Sequence, residues 1–111
     1  MKEFMVLGTP YTLEIRSVAE DAMLRTCDGY CDKTSKLLVV TAPEAECELD
    51  DFSVYQRKVI RHEVIHAYLF ESGLHENMSH AAAGHDEQMV DWFAAQYPKI
   101  AATYRELGVE A

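Results

Sequence analysis

Apolar and polar residues alternate through much of the first forty positions and recur at helical spacing from residue 52 onward. That change of period divides the chain into a strand-forming half and a helix-forming half. Residues 3–7 and 11–16 read as two strands separated by Gly8-Thr9-Pro10, a hairpin or a tight corner. In the second, Tyr11, Leu13 and Ile15 alternate with Thr12, Glu14 and Arg16, as a half-buried strand requires. Residues 17–24 are charged and small, a helical turn or a loop. Residues 29–32 and 36–40 form a second strand pair, with Asp32-Lys33-Thr34-Ser35 as the turn between them. Residues 42–51 hold Pro43 and five acidic residues and are expected as an exposed connector.

Positions 52–73 contain no Gly or Pro until Gly73, as a long helix demands. Asp50, Asp51 or Ser53 is expected to cap its start, where acidic groups complement the positive helix end. Gly73 is expected to close it. The stretch 74–84, with His75 and His80, is expected as a mobile loop in the position of a lid. Residues 86–97 form the next helix, with Val90, Trp92, Phe93 and Ala94 as apolar contacts. Pro98 either kinks that helix or starts a further one over 99–107. The fold class expected is α+β: a small, mostly antiparallel sheet from the N-terminal half, packed on a helix pair.

Composition narrows the function. A chain of 111 residues suits one domain with a single modest core, and 49% hydrophobic with 26% charged residues is ordinary for a globular protein. The net charge of −9, with no block of Lys or Arg, weighs against nucleic-acid binding by phosphate neutralisation. It suits a basic substrate segment or simply a solvated acidic surface. No stretch approaches a membrane span, and residues 4–7 are too short an apolar run for a signal peptide. Cys27, Cys31 and Cys47 cannot all pair within one chain, so a reducing, cytoplasmic compartment is expected. Cys27-x-x-x-Cys31 lacks a second ligand pair for structural zinc.

The candidate chemistry lies in Arg61-His62-Glu63-Val64-Ile65-His66, which reads H-E-x-x-H. At about 100° per residue, His62 and His66 fall about 40° apart around a helix, one turn from each other. Both imidazoles can then reach one metal ion, with Glu63 at the edge of the same face to take a proton from water. Val59, Leu69, Phe70 and Gly73 continue that face, so it should also be a buried one. Arg61 points to the far side and is expected in a salt bridge or a partner contact. Tyr68 is expected to face away from the metal and to serve packing.

Zinc catalysis needs a third protein ligand and an open position. The best candidate is Glu87, with Asp91 one turn later on the same face, placed to accept a ligand histidine's ring N–H. His75, His80, His85 and Asp86 compete for the third position.

HExxH on one helix and E-x-x-x-D on the next resembles the gluzincin metallopeptidases, the thermolysin-like clan. More narrowly, Glu87, Val90, Asp91, Phe93 and Ala94 resemble the E-x-x-A-N-x-F-A helix of the ImmA/IrrE-like peptidases, with Asp91 where that pattern has Asn. The wording RHEVIHAYLFESGL followed by EQMVDWFAAQYPKI also looks like small phage-encoded zincin-like proteins. The resemblance covers 61–100 well and the strand half only in broad layout. It implies His62, His66 and Glu87 on one Zn2+ per chain, Glu63 on the water, and Asp91 behind a ligand histidine. It implies a single zincin-like metallopeptidase domain over 1–111, with 1–41 strand-rich and 52–107 holding the metal. A metzincin would need a third His at position 72, which is Ser72. His75 or His80 could stabilise an oxyanion, a role gluzincins often give to His or Tyr. The activity expected is zinc-dependent cleavage of a protein or peptide. The alternative is a regulatory or protein-interaction module of zincin fold that holds zinc without proteolysis.

Overall fold

The computed structural model describes residues 1–43, 50–77 and 87–111, and of these all side chains but those of 76, 77, 87, 88, 90, 91 and 94. The architecture is α+β, a four-stranded mixed sheet packed against two long helices. Strands β1 (Lys2–Val6), β2 (Thr9–Arg16), β3 (Gly29–Asp32) and β4 (Leu37–Thr41) lie in the order β1-β2-β4-β3. Two ladders are antiparallel hairpins, β1–β2 and β3–β4, and the central β2–β4 ladder is parallel. The sheet is thus mostly antiparallel, as its hairpin signals imply, with one parallel seam that no local pattern announces.

The first hairpin is tighter than Gly8-Thr9-Pro10 implies. Thr9 already pairs with Val6, and the two turn residues are Leu7 (φ 49) and Gly8 (φ 85). A two-residue turn whose twist matches the strands needs positive φ at both positions, which Gly8 adopts freely and Leu7 only under strain. Pro10 sits inside β2 because β4 pairs only from Thr12 onward, so the missing N–H removes no ladder bond. At the second turn, Asp32 Oδ1 accepts from the backbone N–H of Thr34 (2.9 Å) and of Ser35 (3.3 Å).

Alternation puts Phe4, Val6, Tyr11, Leu13, Leu38 and Val40 on the inner face. Helix α1 (Phe52–Glu71) covers that face with Ile60, Val64, Ala67 and Tyr68. Asp51 caps its start by accepting from the Ser53 N–H at 3.1 Å. Its end closes on Ser72, with Gly73 following at φ 80. The next residues form a short helix, α2 (Leu74–Asn77), where a loop was expected.

Helix α3 (Glu87–Leu107) is continuous through Pro98, so no further helix starts there. Pro98 removes one internal hydrogen bond. Packing on both sides offsets that loss: Trp92 before it and Ile100, Tyr104 and Leu107 after it lie against the core. Phe93, expected as core, is 39% exposed. It adjoins Trp92 along the helix, so the two rings point in different directions and only one can face inward. Among the described residues, no helix is long and apolar enough to cross a membrane.

Helices α1 and α3 run antiparallel, and polar contacts tie them together, among them a 2.7 Å hydrogen bond between the Tyr68 and Thr103 hydroxyls. The Tyr104 hydroxyl donates to the Arg61 carbonyl (3.1 Å), the Tyr68 hydroxyl to the Lys99 carbonyl (3.1 Å), and the Trp92 indole to Ser72 Oγ (3.3 Å). Arg61 makes no salt bridge within the described residues; its guanidinium donates to the Val109 carbonyl at 2.8 Å. Tyr68 is a core residue, 2% exposed, as its orientation implies.

Candidate metal centre

One turn of α1 carries the candidate chemistry. His62 is exposed and His66 half-buried, with Nε2 of one ring 3.1 Å from Nε2 of the other. Two nitrogens bound to a tetrahedral zinc at about 2.0–2.1 Å lie about 3.3 Å apart. The rings therefore already hold the separation that two ligands of one zinc ion require. Burial holds the His66 pKa below its ordinary value, and the charges of His62 and His75 push it the same way. A neutral imidazole at neutral pH keeps the lone pair that a metal needs.

Glu63 takes the inward side of the same turn and is 6% exposed. Its approach to the sheet depends on Gly29 in β3. A Cβ on Gly29 would lie 3.0 Å from the Val39 carbonyl oxygen, 3.0 Å from Val59 Cγ1 and 3.4 Å from Glu63 Cγ. The absent side chain lets α1 close on β3 at the residue that carries the carboxylate. Glu63 and His62 together line a cavity of about 310 Å³, whose other walls include Cys27, Asp28 and Tyr55. The Tyr55 hydroxyl donates to the Asp28 carboxylate and ties the start of α1 to the entrance of β3. Burial raises the Glu63 pKa, opposed in part by the charge of His62. A carboxylate raised in this way is a stronger base than an exposed one, the direction a proton-accepting group needs.

Beyond the pair, His66 stacks on Phe70 with centroids 6.3 Å apart, and His75 meets Phe70 edge-on at 4.7 Å. The structure thus brings His62, Glu63 and His66 together, with His75 one ring away. Among the described residues, no three His, Cys, Asp or Glu side chains gather closely enough to hold a metal. The side chains of Glu87 and Asp91 lie outside the described residues, as do His80, His85 and Asp86. Glu87 begins α3, five residues before the Trp92 contact with Ser72, and so lies toward the C-terminal end of α1.

Gly29, Asp28 and Tyr55 did not stand out in the sequence. Tyr55 carried a readable signal, since 55, 59, 62 and 66 share one helical face. Gly29 carried none, because its role is an approach between elements far apart in the chain. Comparison of the chain with family models, with curated proteins and with solved structures returned no significant match.

Proposed function

We propose that this chain is a zinc-dependent metallopeptidase domain in which His62, His66 and Glu87 hold the metal and Glu63 moves the proton. The observation that carries this reading is a buried carboxylate lining one cavity with His62, whose Nε2 lies 3.1 Å from that of His66. The resemblance of the HExxH and ExxxD helices to gluzincin and ImmA/IrrE-like peptidases supports it. Zinc, when bound, supplies Lewis acidity that polarises a carbonyl and acidifies water to a pKa of about 7. A Glu63 carboxylate oxygen takes the proton from the attacking water and later delivers it to the leaving nitrogen. Asp91 accepts a ring N–H from a ligand histidine and fixes its tautomer. The peptide lies along β3, which α1 covers on one face and which, among the described residues, is an outer strand with one unpaired edge. The setting is the reducing cytoplasm, where Cys27 and Cys31 remain the free thiols seen here.

A zinc-holding module without proteolysis is the rival. The buried position of Glu63 speaks against it, since a purely structural site has no use for a desolvated base. Metal analysis tests the site first: one zinc per chain, lost in His62→Ala and Glu87→Ala and kept in Glu63→Gln. Loss in His75→Ala with retention in Glu87→Ala would move the third ligand to His75. Peptide cleavage then separates the rivals, because Glu63→Gln should reduce turnover by about 10²–10⁴-fold with zinc still bound. Full activity in Glu63→Gln would sink the mechanism.

A further inference from the structure

The cavity of about 310 Å³ that holds Glu63 and His62 has one closed end and one unpaired cation. The closed end is the Tyr55–Asp28 hydrogen bond, which ties α1 to the residue just before β3. Tyr55 precedes His62 by about two turns of helix, so the bond crosses the space between α1 and β3 beyond that histidine. Both of its residues line the cavity. The cation is Lys58, an exposed side chain on the same wall. Its ammonium has neither an ion-pair partner nor an aromatic ring beneath it among the described residues. The carboxylates that share the cavity have other work: Asp28 accepts from Tyr55, and Glu63 is the proton carrier of the proposed reaction.

We infer that this cavity takes the last residue of the substrate and that Lys58 pairs with its terminal carboxylate, which makes the chain a carboxypeptidase. The inference rests on the peptide-hydrolase reading and deepens it by naming the end of the substrate that is cut. Reach decides what can be recognised there. Lys58 and His62 are one helical turn apart, so their Cβ atoms lie about 5–6 Å from one another. One extended residue spans about 3.3–3.6 Å. A carbonyl held at His62 and Glu63 therefore puts the carboxylate of the next residue within range of the flexible Lys58 stem. A peptide that continued further in that direction would meet the Tyr55–Asp28 bond. The volume lies at the low end of small-molecule sites, about 300–1,000 Å³, which suits one residue better than several. Hydrolysis then breaks one C–N bond: the water hydroxyl goes to the carbonyl carbon, the remaining proton to the leaving nitrogen, and one free amino acid departs.

Peptides that differ only at their ends test this. Zinc-loaded protein should release single residues from the carboxyl end, read by mass spectrometry. It should prefer a free carboxylate over the amide by about tenfold to a hundredfold in kcat/KM, the worth of a charge-assisted hydrogen bond. Lys58→Ala should erase that preference, chiefly through KM, and Lys58→Arg should restore it, with zinc content and melting temperature unchanged in both. Cuts inside the peptide, equal rates on acid and amide, or a preference that Lys58→Ala leaves intact overturn the inference and leave hydrolysis standing. Cleavage that stops when the amino terminus is acetylated also overturns it, because the enzyme would then read the other end. If no peptide is cut, zinc-loaded Glu63→Gln protein is titrated with N-acetylalanine and N-acetylalanine amide, and the Tyr55 ring is followed by NMR. Saturable shifts with the acid alone, lost on adding Lys58→Ala, support the carboxylate site although hydrolysis has failed. Shifts that survive Lys58→Ala, equal responses to the two compounds, or no response to either overturn it.

Discussion

Two glutamates on α1, eight residues apart, meet opposite environments. Glu71 is half-buried and fully engaged: the Tyr11 hydroxyl donates to it at 2.7 Å and the Lys36 ammonium lies 2.6 Å away. Burial alone would raise its pKa, yet the hydrogen bonds from Lys36, Tyr11 and Thr9 outweigh burial and hold it below the ordinary value. Glu63 is buried without a cationic lysine or arginine partner among the described residues, and burial raises its pKa. The first carboxylate fastens the helix to the sheet. The second meets burial with no such lysine or tyrosine partner among the described residues. The contrast shows that burial of a charge has no fixed meaning, and that its hydrogen-bond partners decide whether it stabilises or reacts.

The largest expected effect lies at the fastening end. Glu71→Ala leaves the 1%-exposed Tyr11 with an unmatched hydroxyl and should destabilise the fold by about 2 kcal/mol. Urea unfolding should show a lower midpoint at constant slope, with zinc uptake unchanged. An unmoved midpoint would break the contrast. Next comes Gly29→Ala, whose Cβ crowds the Val39 carbonyl oxygen and Val59 at 3.0 Å. Overpacking there should destabilise by about 1–2 kcal/mol and, by lifting α1 from β3, reduce turnover more than zinc affinity. A variant that melts lower but turns over normally would show that the close approach serves packing alone.

Glu63→Gln should act in the reverse direction, raising the stability of the metal-free protein by about 0.5–1 kcal/mol because an unpaired buried charge is removed. Thermal melting in the presence of chelator checks this, and a lower melting temperature would mean that the carboxylate is paired after all. The smallest effect is in the pH profile. The folded pKa of Glu71 lies below its 4.5 reference, so its contribution is present above the unfolded value and fades as pH falls through the folded one. The stability gap between wild type and Glu71→Gln should therefore narrow in that acidic window, and a gap that widens would reverse the sign.

Much of the architecture was legible in the sequence where the signal was local. Alternation in 11–16, the turn residues at 32–35 and the uninterrupted run before Gly73 each mark an element whose reason lies within a few residues. The closeness of the two histidines was legible for the same reason, since one helical turn brings His62 to His66. What escaped depends on contacts between distant segments. The parallel pairing of β2 with β4, the closeness of Gly29 to Glu63 and the passage of α3 through Pro98 are all decided by packing. Phe93 escaped because a run of three apolar residues, Trp92-Phe93-Ala94, cannot all face one way on a helix.

The parallel seam also bears on how the chain reaches this fold. Each hairpin closes through a short turn, whereas the seam joins Leu13 to Leu38, twenty-five positions away. Short loops close faster than long ones, so the two hairpins form as separate local units and the β2–β4 ladder is assembled afterwards. Leu38, 0% exposed and paired on both sides, is where the two halves of the sheet meet. The rate of folding is then set at the middle of the sheet, away from the turn of helix that carries the histidines.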